Sequence, residues 1–198
     1  LQLERVGMEA CSLTAWLHDE LRAGGWPAIC IETRQAKAAM GAMPNKTDRN
    51  DARALAQIMR TGWYRAVHVK SKASRTWRSL LVARRAVLNE MRSIENVVRA
   101  LLRETGVKLG TPSRKDFVDR TRELTAGDPV LTRLTEPLLT ILTTMLHGFA
   151  KLTKQVLDIV RNEPVCRRLM SAPGVGPITA LAFRATIDQP DRFAKSRD

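Results

Sequence analysis

Three carboxylates are the residues of this sequence best suited to carry chemistry. Asp48 and Asp51 lie three residues apart in Lys46-Thr47-Asp48-Arg49-Asn50-Asp51-Ala52. On a helix that spacing puts both side chains on one face, with Cβ atoms about 5–6 Å apart. The two charges repel, and a hard divalent cation such as Mg²⁺ relieves the repulsion while keeping positions for water and substrate phosphate. Acidic residues in a first turn also complement the helix dipole, so the pair alone reads equally well as a helix start. Glu9 is the third carboxylate. It closes the apolar run Val6-Gly7-Met8, and α/β folds place their sites at the carboxyl ends of sheet strands. By itself it reads as a strand-end residue turned to solvent; with Asp48 and Asp51 it makes three carboxylates that one fold could bring to one metal.

The elements that must hold these residues follow from the apolar pattern. Arg5 to Ala10 reads as the end of a short strand, Ser12 as the cap of a helix over Leu13 to Ala23, and Ala28 to Glu32 as a second strand. Leu13, Trp16, Leu17 and Leu21 share one face of that helix. Strand, helix, strand with short loops is the order of a parallel α/β sheet. A further helix is expected from Gln35 to Met43, and another from Asp48 to Thr61, capped by Thr47 or Asn45.

From Ser74 the pattern becomes long and helical. Trp77, Leu80, Val87, Met91, Ile94, Val98 and Leu101 follow a heptad seam in which Arg84 fills the missing position. A second seam runs Leu131, Leu134, Leu138, Ile141, Met145, Phe149, Leu152, Val156 and Ile159, after a polar link from Gly106 to Pro129. The pair predicts an antiparallel hairpin or an oligomeric coiled coil, and core packing alone would account for both seams. Further on, Pro173-Gly174-Val175-Gly176-Pro177 fits a helix-hairpin-helix: the glycines permit the tight turn, Val175 anchors it inward, and the next helix presents backbone N–H groups to a phosphate. A plain turn between packed helices fits the same residues.

The 198 residues carry 33 Lys+Arg against 20 Asp+Glu, a net charge of +13. Between Arg65 and Lys115 thirteen basic residues face three acidic ones, so an excess of ten sits on the first long helix and its flanks. Such a balance points to a polyanion, nucleic acid first. Lys70, Lys72, Arg75 and Arg78 are the expected phosphate contacts, with Lys46 beside the acidic pair. Trp63, Tyr64 and Trp77 interleave with this stretch and could stack on unpaired bases, although aromatic residues on helices more often pack inward. No run is long and apolar enough for a membrane helix. Cys11, Cys30 and Cys166 are too few and too scattered for a disulfide framework or a zinc site, and point to a reducing cytoplasm. His18, His68 and His147 form no metal-binding or general-base spacing.

Gly7-Met-Glu-Ala-Cys-Ser12, then Ile29-Cys-Ile-Glu-Thr-Arg-Gln-Ala-Lys37, then Asn45-Lys-Thr-Asp-Arg-Asn-Asp-Ala-Arg53 resembles the DEDD-type insertion-sequence transposases, a family of serine-using recombinases guided by a bridge RNA. The resemblance spans essentially the whole chain, with Lys46 to Ala52 its most specific part. It implies an α/β plus α architecture, mostly α by residue count: a partial RuvC-like (ribonuclease H fold) metal-site domain at 1–64, a basic helical hairpin or coiled coil at 65–162, and at 163–198 the start of a carboxyl-terminal transposase domain. Glu9 then corresponds to the family's Glu, and Asp48 and Asp51 to its last two Asp residues, together holding Mg²⁺ as catalytic and metal residues. Gly174 and Gly176 join Lys46, Lys70, Lys72, Arg75 and Arg78 as nucleic-acid-binding residues.

The family's first Asp and its nucleophilic serine match no residue here, so the resemblance implies that Leu1 begins inside a domain and that the chain is cut at both ends, inactive alone. Implied partners are DNA, a structured guide RNA and further copies of the chain in a homo-oligomer, in the bacterial cytoplasm at the nucleoid. Two rival functions fit the residues: a non-catalytic nucleic-acid-binding or oligomerisation protein, and a Holliday-junction-type nuclease that needs only the metal site.

Overall fold

A computed structural model of the chain describes residues 3–41, 45 and 47–195. They form two compact units, residues 1–71 and 72–198. The chain is mostly helical, with one small parallel sheet.

In the first unit β1 (Val6–Glu9) and β2 (Ala28–Ile31) pair in parallel, with Val6 opposite Ala28 and Glu9 opposite Ile31. Helix α1 (Thr14–Ala23) makes the crossover, and α2 (Thr33–Gly41) and α3 (Asp48–Thr61) follow. Beyond α3 the chain returns antiparallel to β2: Glu32 N–H donates to Arg65 O and Val67 N–H to Cys30 O. Alternation along the strands divides the core. Met8, Ala28 and Cys30 face one side with Leu21 of α1 and Val69, while Ile29 and Ile31 face the other with Ile58 and Met59 of α3 and Ala36 of α2.

Helix α1 departs from the expected orientation. Thr14 and Leu21 turn to the sheet, whereas Leu13, Trp16 and Leu17 are exposed. The cap differs too. Ser12 does not serve; the Thr14 hydroxyl accepts from Cys11 N–H and donates to Glu9 O, pulling Thr14 inward and rotating the apolar face away.

In the second unit α4 (Lys72–Glu104) and α6 (Pro129–Asn162) form an antiparallel hairpin. The carboxyl half of α4 (Met91, Val98, Leu102) packs with the amino half of α6 (Leu131, Leu139, Leu142), and Trp77 and Leu80 pack with Val156 and Val160. Arg84 faces α6 as the seam predicts, its Nε donating to Thr153 Oγ1 at 2.9 Å and its guanidinium lying 4.4 Å from the Phe149 ring centre.

The second seam is corrected at Leu134 and Ile141, which are exposed. The buried row runs Leu131, Thr135, Leu139, Leu142, and Thr135 is tolerated there because its hydroxyl donates to Leu131 O. The expected polar link contains a helix, α5 (Phe117–Thr125), whose buried face mixes Phe117 and Val118 with Thr121 and Thr125. Arg114 pairs with Glu95 at 2.7 Å and ties the preceding segment to α4.

Helices α7 (Pro164–Leu169) and α8 (Pro177–Ile187) complete this unit against α4 and α6. Ser74, near the start of α4, donates to the buried carboxylate of Asp188 at 2.6 Å just beyond α8.

Candidate metal centre and nucleic-acid interface

Helix α3 begins where its sequence dictates. Thr47 is in extended conformation and accepts from Asn50 N–H at 3.2 Å, Asn50 Nδ2 donates to Asn45 O, and Gly62 ends the helix with φ 71°. Asp48 and Asp51 therefore occupy the first turn, beside amide groups whose partial positive charge favours carboxylates. Asp48 is exposed and Asp51 half-buried.

Glu9 is half-buried at the last position of β1. Two residues earlier, Gly7 lies against Met59, which fixes α3 to the strand through its carboxyl-terminal half. Asp51 and Asp48 stand about two and three turns before that contact. Among the described residues no three His, Cys, Asp or Glu side chains are grouped so as to hold a metal ion. Asp48 and Asp51 still suit Mg²⁺, which ordinarily takes one or two carboxylates from a protein and leaves its other positions to water and phosphate. Lys46 lies outside the described residues.

The basic residues divide by environment. Lys70 lies next to the end of the first unit, half-buried, and Lys72 opens α4, exposed. Arg75 is half-buried and Arg78 exposed. Helical geometry extends Arg78 into a row that sequence reading passed over: Arg78, Arg85, Arg92 and Arg99 recur every seventh residue, with Asn89 and Asn96 between them and Arg103 beyond. Each step is about 10.5 Å along the axis. Arg99 turns aside to donate to Gly110 O and cover the Phe117 ring. Arg78, Arg85, Arg92 and Arg103 are exposed, and among the described residues no carboxylate pairs with them. The seven-residue spacing of these cations was the signal that could have found the row.

The aromatic candidates separate in the same way. Trp77 is half-buried against the Val156 cluster with the Arg184 guanidinium 5.5 Å from its ring centre, and Tyr64 is half-buried against the Ile31 cluster, as packing residues are. Trp63 is 87% exposed.

Gly174 has φ 81°, a left-handed turn that glycine adopts without strain, and Val175 packs into the core beneath it as expected. Gly176 precedes Pro177, the first residue of α8, and a side chain at either glycine would meet open space. Cys11, Cys30 and Cys166 are free thiols, and burial pushes those of Cys30 and Cys166 above their ordinary range. No helix among the described residues is long and apolar enough to cross a membrane.

Two family descriptions match the chain: a DEDD transposase of the IS110 type over residues 4–107, and the transposase IS116/IS110/IS902 family over residues 166–198. The transposase for insertion sequence element IS1111A of Coxiella burnetii is 25% identical over 201 residues, covering 100% of this chain and 55% of that protein. A "Probable family 20 transposase" of Pseudomonas aeruginosa is 27% identical over 197 residues, covering 97% of this chain and 58% of that protein. The chain thus spans little more than half the length of these curated relatives.

Proposed function

The chain belongs to the IS110-type family of DEDD transposases, and on that premise we propose that it is part of an enzyme that moves an insertion sequence by cutting and rejoining DNA strands. The observation that carries the proposal is the match over residues 4–107, which includes Glu9, Asp48 and Asp51 and the basic row of α4 in one family domain.

In this reading the amino-terminal unit is a partial RuvC-like domain in which Glu9, Asp48 and Asp51 hold Mg²⁺. The ion, when bound, stabilises charge on the phosphodiester. Asp48 and Asp51 gain from their place in the first turn of α3, where backbone dipoles favour negative charge. Lys46, Lys70, Lys72 and Arg75, together with Arg78, Arg85, Arg92 and Arg103 on α4, hold the phosphate backbone, and the Gly174–Gly176 hairpin adds a backbone contact. A guide RNA and further copies of the chain through the long helices belong to the same reading. The nucleophilic serine of the family is assigned to no residue here.

Recombination of a marked element by the reading frame that encodes this chain tests the proposal. Asp48→Asn, Asp51→Asn and Glu9→Gln each abolish it, and so does replacement of whichever serine of that reading frame serves as the family's nucleophile. Cleavage that persists without that serine would assign simple nuclease chemistry instead. A second reading, a nucleic-acid-binding protein without catalysis, needs only the exposed arginines of α4. It requires the wild type to bind nucleic acid without recombining it, and the three carboxylate variants to bind as the wild type does.

A further inference from the structure

We propose that the cleft between α2 and α3 beside Trp63 receives an unpaired nucleobase, so that the first unit grips a single-stranded stretch of nucleic acid. This rests on the reading that the chain holds nucleic acid and adds to it a site for the base.

The cleft has a volume of about 450 Å³ and is lined by Gln35, Ala54, Gln57, Ile58, Thr61 and Trp63 among others. Its floor is apolar, since Ala54 and Ile58 are buried. Its wall is an indole displayed at a fixed place. Gly62 ends α3 in left-handed conformation and Tyr64 N–H closes back on Gly62 O, so the next two aromatic side chains part: Tyr64 enters the core and Trp63 goes out. An 87% exposed indole leaves a large apolar surface in water, a cost that a stacked partner removes.

Polar groups surround the ring. The side-chain oxygen of Gln35 accepts from Arg65 N–H and that of Gln57 from Arg60 Nε, which fixes both amides and leaves their NH₂ groups as donors at the rim. Arg60 and Arg65 are both exposed, and among the described residues no Asp or Glu lines the cleft. A flat aromatic face, amide donors and neighbouring guanidinium groups suit a base with its phosphates. The base must be unpaired, because a duplex shields base faces from side chains.

Binding of fluorescent DNA and RNA single strands of about 12 nucleotides, and of a blunt duplex of the same sequence, gives the test. Trp63→Ala is expected to weaken single-strand binding about tenfold while leaving the duplex affinity unchanged. Trp63→Phe should restore most of the loss, and a strand carrying abasic sites should bind wild type and Trp63→Ala alike. Equal losses on single strand and duplex, or no loss on either, would overturn the inference while nucleic-acid binding stands; the indole would then belong to a protein contact. Failure of the wild-type chain to bind any of the probes would overturn the nucleic-acid reading and this inference with it. Whether DNA or RNA is the tighter ligand identifies the source of the base.

Discussion

Gly7 of β1 lies so close to Met59 of α3 that a Cβ on the glycine would fall 2.5 Å from both Cγ and Sδ of the methionine. The strand that ends in Glu9 is thereby held against the helix that begins with Asp48, and no larger residue fits between them. Gly7→Ala must displace the middle of the Met59 side chain, because these atoms are not the free end that could swing away. We expect a loss of about 1–3 kcal/mol in thermal or denaturant unfolding of the first unit. Combining it with Met59→Ala should cost less than the sum of the two single changes; strict additivity would show that the contact is not tight.

Arg84 occupies the one seam position of α4 without an apolar residue, and burial lowers its pKa. It donates to Thr153 and covers Phe149, but among the described residues no carboxylate balances its charge. Thr153 also donates to Phe149 O at 2.7 Å, so its hydroxyl keeps a partner if Arg84 is replaced. Arg84→Leu is therefore expected to raise stability by about 1 kcal/mol. Arg84→Ala should lower it, since the side-chain stem also fills the seam. Melting temperatures decide: a leucine variant as unstable as the alanine variant would mean that the guanidinium itself holds the hairpin.

Exposed arginines on α4 act by neutralising phosphates, and that action has a distinct signature. Replacing Arg78, Arg85, Arg92 and Arg103 together by Gln should flatten the dependence of log K on log salt for duplex DNA by about 3–4 in slope, through loss of counterion release. Anisotropy titrations between about 50 and 200 mM salt measure it. An unchanged slope would remove the row from the interface. Arg99→Gln serves as the internal comparison, because Arg99 is already engaged with Gly110 and Phe117 and should change the slope little.

What was legible in the sequence depended on how local its cause was. The limits of α3 are set by residues within three or four positions, the Thr47 cap and Gly62, and the helix spans Asp48–Thr61 as expected, with Thr47 and not Asn45 as its cap. Arg84 was recognised as a seam residue because its neighbours at three- and four-residue spacing left one position open. The orientation of α1 was not legible: its most apolar face carries Leu13, Trp16 and Leu17, yet Thr14 turns inward for a hydrogen bond to Glu9 O that no periodicity reports. In α6 apolar residues flank the seam on both sides, so Leu134 and Ile141 fitted a heptad as well as Leu139 and Leu142 did, and only packing against α4 chose between them. Helix α5 escaped because threonines supply half of its buried face. The relative placement of Glu9, Asp48 and Asp51 depends on how α3 docks on the strand, a tertiary matter beyond any spacing.

Arg122 of α5 and Glu136 of α6 form a two-pronged pair at 2.7 and 3.1 Å, which holds the Glu136 carboxyl below its ordinary range. A carboxyl whose pKa falls on folding adds stability above its unfolded pKa and loses it as pH falls through the folded value. Both side chains are more than 40% exposed, so the contribution at neutral pH is at most about 1 kcal/mol. Unfolding of wild type and Glu136→Gln should differ by that amount near pH 7 and converge once acid protonates the carboxyl. A gap that stays constant down to acid pH would mean that the variant acts through packing.

Asp48 and Asp51 should respond to magnesium in a manner that helix capping alone does not produce. At the start of α3 their mutual repulsion, about 0.2–0.5 kcal/mol, opposes a comparable gain from the helix dipole. The double change to Asn is therefore nearly neutral without metal, as Thr47 still caps the helix. A cation bound by the folded chain adds stability that grows with its concentration. Wild-type melting temperature should accordingly rise with millimolar Mg²⁺, and the double Asn variant should show no such rise at matched ionic strength. If both proteins respond alike, the carboxylates serve the helix and not the ion, and the metal role of Asp48 and Asp51 falls with that result.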